Sequence, residues 1–155
     1  MKREETVDYN IKIAWHAISR MYNTEGENDK ISASTGYVLL NIDIENGTPA
    51  TKIAPQLGLE TRSLTRILKN LEDMGWVYRE TGKDDKRYVK IFLTDLGKQK
   101  REVARKAVRE FNFFVKENIS QEKLNVFLDV INEINKLVEQ YRNPELQEKK
   151  EINIE

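Results

Sequence analysis

Thr61-Arg62-Ser63-Leu64-Thr65-Arg66-Ile67-Leu68-Lys69-Asn70-Leu71-Glu72-Asp73-Met74-Gly75-Trp76-Val77-Tyr78-Arg79-Glu80 carries two different hydrophobic periods, one on each side of Gly75. Before the glycine, Leu64, Ile67, Leu68 and Leu71 recur at spacings of three and four, which places them on one face of a helix over 61–74. Gly75 is suited to the left-handed position that ends such a helix. After it the alternation is two, so 76–80 reads as a strand. A second strand follows at 88–93. The connection Thr81-Gly82-Lys83-Asp84-Asp85-Lys86-Arg87 is polar and too long for a two-residue hairpin turn.

On the N-terminal side, Thr48-Pro49 reads as a helix cap followed by proline at the first helical position, where its missing N–H has no intrahelical partner to lose. The short helix over 49–57 turns Ile53 and Leu57 inward and stops at Gly58. Pro55 inside it should kink it or delay its start. Further back, Ser34 caps a helix that buries Tyr37, Leu40 and Ile44 and ends at Asn46-Gly47. The first helix, 5–23, carries Val7, Ile11, Ala14, Ile18 and Tyr22. On the C-terminal side, Thr94 caps a helix over 95–117 containing Phe111, Phe113 and Phe114. Ser120 opens a last helix with Leu124, Phe127, Leu128, Ile131, Ile134, Val138 and Tyr141 on its stripe. Asn143-Pro144 ends it, and the charged tail 143–155 is expected to fray.

This order predicts a mainly α chain with a small β-hairpin wing. A winged helix-turn-helix region spans 34–94, and helices at 5–23 and 95–142 form a dimerisation region. One small domain has too little core to cover the terminal stripes, so a second copy of the chain is the expected partner. A bundle closed within one chain is the alternative.

The 155 residues have a formal net charge of zero and contain 34% charged residues. The charge is not evenly spread. Between Thr48 and Arg101 there are twelve basic residues against seven acidic, so the middle is basic and the ends are acidic. That is the distribution of a module for a polyanion joined to an assembly module. On the 61–74 helix the outward residues are Thr61, Arg62, Ser63, Thr65, Arg66 and Lys69: hydroxyls and long cations that reach base edges and phosphates in a major groove. Taken alone, an ordinary basic surface helix would show the same. Lys83, Lys86 and Arg87 sit at the wing tip, where an arginine is drawn to a narrow minor groove, and Asp85 is placed to aim a neighbouring cation.

The chain contains no cysteine, which removes disulfides, thiol redox sensing and thiolate metal sites. It contains a single histidine, His16, expected in a structural role beside Trp15. It has no apolar run long enough to span a membrane and no leader-like N-terminus, so the cytoplasm is the expected compartment. Neither an enzyme nor a cofactor is expected, because no convergent set of titratable groups is present.

The run 64–77 resembles the recognition helix and first wing strand of the MarR family, the multiple-antibiotic-resistance regulators. The stretch 84–97, with Asp85, Arg87, Leu93-Thr94 and Gly97, resembles that family's wing. The resemblance implies an obligate dimer whose two recognition helices read successive major grooves of a near-palindromic site, with Arg87 in the minor groove. The expected function is a DNA-binding transcription regulator, by the family's commoner mode a repressor. It also implies a small-molecule effector, often phenolic or anionic, held between the dimerisation and DNA-binding regions. Trp15, Tyr22, Tyr37, Trp76 and Tyr78 are candidates to line that pocket, with core or interface roles as the alternative. A winged helix that binds another protein instead of DNA is the competing reading.

Overall fold

The computed structural model describes residues 2–82 and 88–142. After a 3-10 turn at Arg3–Glu5 come helices α1 (Val7–Glu25), α2 (Ala33–Leu40), α3 (Ala50–Gln56), α4 (Thr61–Asp73), α5 (Asp95–Asn118) and α6 (Gln121–Tyr141). Strands β1 (Thr48–Pro49), β2 (Val77–Thr81) and β3 (Val89–Leu93) form one antiparallel sheet in the order β1-β3-β2. The chain divides into two compact units, one reaching to Arg109 and the other beginning at Glu110.

The core of the first unit is built by Val38 and Leu39 of α2, Ile42, Ile53 of α3, and Leu64, Leu68 and Leu71 of α4, closed by Trp76 just before β2, by Val77, Ile91 and Leu93 of the sheet and by Ala104 of α5. Leu71 and Ile91 are wholly buried. Helices α2, α3, α4 and α5 and strands β2 and β3 therefore contribute to one shared apolar contact. Truncating a side chain at its centre, such as Leu71 to alanine, belongs to the class of core changes costing ~2–5 kcal/mol.

Three expectations from the sequence need correction. First, α2 is capped by Ser32 and not by Ser34. The Ser32 hydroxyl accepts the Thr35 N–H at 3.2 Å, while the Ser32 N–H donates to the Thr35 hydroxyl at 2.8 Å. This reciprocal pair satisfies two backbone donors at once, which Ser34 inside the first turn cannot do. Second, α2 stops at Leu40, well before Asn46-Gly47. The Asp43 carboxylate accepts the N–H groups of Glu45 (3.0 Å) and Asn46 (2.7 Å), and this local turn competes with continued helix. Ile44 is consequently exposed, and Ile42 takes the buried place. Third, Thr48-Pro49 is a short edge strand and not a helix start. Thr48 pairs with Ile91 and Pro49 with Lys90. The Thr48 hydroxyl accepts the Asp43 N–H at 2.9 Å and donates to the Asn41 carbonyl at 3.2 Å, binding the strand to the α2 exit. Helix α3 begins one residue later, at Ala50, and tolerates Pro55 because that residue lies in its final turn.

The junction of α4, β2 and α5 fixes the direction of the wing. Gly75 adopts φ +69° and turns the chain out of α4. The Thr94 N–H donates to the Trp76 carbonyl at 3.0 Å, and the Thr94 hydroxyl lies 2.7 Å from the Gly75 carbonyl. That hydroxyl also accepts the Gly97 N–H at 3.0 Å, so it caps α5 as expected. Gly97 is packed directly on the Trp76 peptide, and a Cβ there would overlap the Trp76 carbonyl oxygen.

In the second unit, α6 is capped by Ser120, whose hydroxyl accepts the Lys123 N–H, and none of its residues is buried. Phe113, Phe114, Phe127, Leu128 and Leu137 are exposed there; on α1 of the first unit, so are Val7, Ile11, Ile13 and Trp15.

Two glycine variants separate backbone conformation from close packing at the wing junction. Gly75→Ala meets no neighbour and should lose about 1–2 kcal/mol, the strain of a left-handed alanine. Gly97→Ala must push α5 off the sheet and should lose about 3 kcal/mol or more, the upper range of forced overpacking. Urea unfolding of both variants measures the difference; equal losses would refute the close approach at Gly97.

Candidate nucleic-acid interface

Helix α4 is sharply two-faced. Leu64, Leu68 and Leu71 are buried and Ile67 is half-covered, which fixes the opposite face outward. Thr61, Arg62, Thr65, Arg66 and Lys69 are all exposed on that side. Ser63 is half-buried on the flank and contributes less to the face than its sequence position suggested. Asn70, four residues beyond Arg66 and exposed, belongs to the face and was missed; the helical spacing alone would have found it. From Thr61 to Lys69 the helix rises about 12 Å, close to the width of the B-DNA major groove. The Thr65 hydroxyl donates to the Thr61 carbonyl at 2.9 Å and keeps its acceptor lone pairs outward.

Ion pairing separates the cations of the basic middle. Arg79 pairs with Glu72 at 2.9 Å, Lys98 with Asp95 at 3.6 Å, and Lys100 with Asp29 at 3.0 Å. Lys100 also lies 5.5 Å from the Trp76 ring centre. Among the described residues no ion pair engages Lys52, Arg62, Arg66 or Lys69. Lys90 and Arg101 are likewise outside these ion pairs, but each donates to a backbone carbonyl, Lys90 to Asn46 at 3.3 Å and Arg101 to Leu40 at 3.5 Å. Among the described residues, the cations of the basic middle left to solvent thus lie on α3 and α4.

Strands β2 and β3 carry the wing. They pair from Val77↔Leu93 to Thr81↔Val89, and the Gly82 N–H closes on the Tyr88 carbonyl at 2.8 Å. Tyr78 stacks on Phe92 with ring centres 5.4 Å apart. The tip residues Lys83, Asp85, Lys86 and Arg87 lie outside the described residues.

A cleft with about 410 Å³ of atom-free space, part of it open to solvent, lies where the end of α1, the start of α2 and the first part of α5 meet. Its polar edge is Tyr22, Glu25, Ser32 and Tyr37; its apolar wall includes Ile31, Leu40, Val103 and Val108. Of the aromatic candidates, Tyr22 and Tyr37 line this cleft, with their rings edge-on at 6.2 Å. Trp15 packs on Tyr37 at 5.7 Å without being part of the lining. Trp76 is instead a core residue, buried in the cluster with Leu68 and Leu71, and Tyr78 is exposed and stacks on Phe92. Burial pushes the Tyr22 phenol up to about 12, with the Tyr37 phenol and the Glu25 carboxylate adding to the effect. Burial also raises Tyr37.

Comparison with known proteins agrees with this geometry. The MarR family model matches residues 31–89. The transcriptional regulator TtmR of Methylorubrum extorquens is 36% identical over 85 residues, a match covering 55% of this chain but only 44% of TtmR. The transcriptional regulator SarZ of Staphylococcus aureus is 34% identical over 106 residues, covering 67% of this chain and 68% of SarZ. The chain belongs to the MarR family. Among solved structures, the S. aureus MepR–DNA complex superposes with a TM-score of 0.78 at 20% identity, over 84% of this chain and 97% of MepR. Reduced AbfR bound to DNA gives 0.69 at 28% identity, over 85% of this chain and 93% of AbfR. The sequence motif that suggested a MarR-family wing now has a physical basis at two of its positions. Thr94 ties β3 and α5 to the turn after α4, and Gly97 allows α5 to lie on the Trp76 peptide.

The buried phenols give a pH prediction. A phenol held above its ordinary 10.0 stays protonated longer in the folded than in the unfolded chain. Its contribution is therefore constant below pH 10 and lost as the pH rises through about 12. Unfolding followed at increasing alkaline pH should show stability falling across that window, with a smaller fall for Tyr22→Phe. An unchanged fall in that variant would show that Tyr22 is not held protonated by the fold.

Proposed function

We propose that this chain is a transcription regulator, a repressor, that binds a near-palindromic duplex site as a homodimer and responds to a small-molecule effector. The observation that carries the reading is the outward face of α4, where Arg62, Arg66 and Lys69 stand exposed, without an ion-pair partner among the described residues, on a helix fixed by three buried leucines. Arginine paired with both guanine acceptors discriminates by about 1–3 kcal/mol, and the neighbouring threonines and lysine position the helix on phosphates. The wing cations Lys83, Lys86 and Arg87 join the face on the strength of the sequence. AbfR, 28% identical, is a DNA-bound relative with the same fold, which supports the same ligand here.

The homodimer is supported by the exposed apolar side chains on α1 and, separately, on the second unit. Surfaces of that kind pack against a partner rather than face water. A two-fold dimer presents α4 twice, so half-sites should lie about one helical turn of DNA, or a multiple of it, apart. Occupying such a site blocks polymerase, which is how repression would arise.

Selection of bound genomic fragments, followed by titration of the selected duplex, tests this reading. With some 6–10 phosphate contacts, affinity should fall about 10³- to 10⁵-fold between 50 and 200 mM salt. Arg66→Ala should weaken the selected site by about 10- to 100-fold and leave the dimer intact by sedimentation. Arg87→Ala should also weaken it without affecting dimerisation. If no duplex is retained at low salt, or if both variants bind like the parent, the DNA reading fails.

A further inference from the structure

The cleft of the first unit has a charge character that restricts its ligand. None of its lining residues is a lysine, arginine or histidine; its one formal charge is the Glu25 carboxylate. Two phenol rings, Tyr22 and Tyr37, sit edge-on to each other beside that carboxylate. The N-terminus of α2 opens on the same cleft at Ser32 and Ala33, where backbone N–H groups would ordinarily hold an anion. Two of those donors are already engaged. The Ala33 N–H donates to the Asn23 side-chain oxygen at 2.8 Å, and the Thr35 N–H to the Ser32 hydroxyl at 3.2 Å. An anion entering here would lose its hydration and meet Glu25, with no cation among the lining residues to replace that hydration. A cation would meet a carboxylate and two electron-rich phenol rings, the groups that attract it. The apolar wall of Ile31, Leu40, Val103 and Val108 favours a flat, greasy body behind the charge.

We propose that this cleft binds an aromatic lipophilic cation, a protonated or quaternary amine on a flat ring system, and disfavours aromatic carboxylates. The proposal rests on the effector-responsive reading above and names the chemical class of that effector. It departs from the anionic ligands that the family resemblance implied. The raised Tyr22 phenol is consistent with it, since the Glu25 carboxylate already reaches that hydroxyl electrostatically.

Three probes sharing one ring system decide the matter: (2-naphthylmethyl)trimethylammonium, 2-naphthalenemethanol and 2-naphthoate. Each is titrated calorimetrically into the 155-residue chain without DNA. The ammonium probe should bind at least tenfold more tightly than the alcohol, and naphthoate should bind most weakly. Glu25 is exposed at the rim, so its variants should fold. Glu25→Gln should remove most of the ammonium preference while leaving alcohol binding within twofold. Glu25→Lys should reverse the order of the two charged probes. Naphthoate binding as tightly as the ammonium, a ranking indifferent to Glu25, or no binding of any probe would overturn the proposal. Saturating ammonium probe should also weaken binding to the selected duplex by at least fivefold; an unchanged DNA affinity would remove its standing as effector. Failure of the unliganded parent to bind any duplex would sink the DNA reading alone and leave the calorimetric ranking intact.

Discussion

The peptide of Trp76 is the point on which the winged helix turns. Its ring lies in the core with Leu68 and Leu71 of α4, and its carbonyl accepts the N–H of Thr94. Gly97 of α5 rests directly on it. Three elements are thus indexed to one peptide: the end of the exposed basic helix, the first strand of the wing, and the start of the long helix. Neither a hydrogen bond nor a side-chain contact alone would fix all three. The bond at Thr94 sets the register between β3 and the turn, and the missing Cβ at Gly97 sets the approach of α5. An error here would tilt the wing strands relative to α4 and displace the start of α5 with them. Shape, rather than any single charge, is therefore the first requirement of the basic face.

Local sequence signals were sufficient where structure is locally determined. The period of Leu64, Ile67, Leu68 and Leu71 defined α4 and, by exclusion, the outward set Thr61, Arg62, Thr65, Arg66 and Lys69. The sequence reading failed where a distant partner decides. Thr48-Pro49 carries every local mark of a helix start, yet β3 lies alongside and takes it as an edge strand. The apolar pattern running on to Ile44 suggested a longer α2, but the Asp43 turn ends it first. The cleft was only half legible for the same reason. Tyr22 and Tyr37 attract notice as aromatics, whereas Val103 and Val108 join them only when α5 returns across the fold, and Trp76, the most conspicuous ring, is drawn into the core.

Charge follows the same division between local and distant. A net charge of zero hides a selective arrangement. Arg79 is neutralised by Glu72, seven residues earlier, and Lys100 by Asp29, far away in sequence, so part of the basic middle serves the fold. Lys52 on α3 and Arg62, Arg66 and Lys69 on α4 stay free of described ion pairs. Exposed pairs contribute little stability, at most about 1 kcal/mol each, so leaving those cations unpaired sacrifices little. It preserves a local field that a tally of the whole chain does not reveal, and such a field acts on association and orientation more than on folding.

The cleft and α4 are joined through α2. Tyr37 and Leu40 face the cleft, while Val38 and Leu39 on the adjoining side of the same short helix are buried in the core with Leu64 and Leu68. A close-packed core of this kind transmits displacement rather than absorbing it, because its side chains have no free volume into which to relax. A molecule seated against Tyr37 and Leu40 would therefore bias the position of α2, and through it the support of the basic helix. The size of that bias has a strict limit: a ligand shifts the equilibrium only by its difference in affinity between two arrangements. For this cleft the difference must come from how closely the rings of Tyr22 and Tyr37 and the carboxylate of Glu25 can approach the ligand in each arrangement. The chemistry of the cleft edge and the placement of α4 are thus parts of one mechanical problem, with eight residues of helix between them.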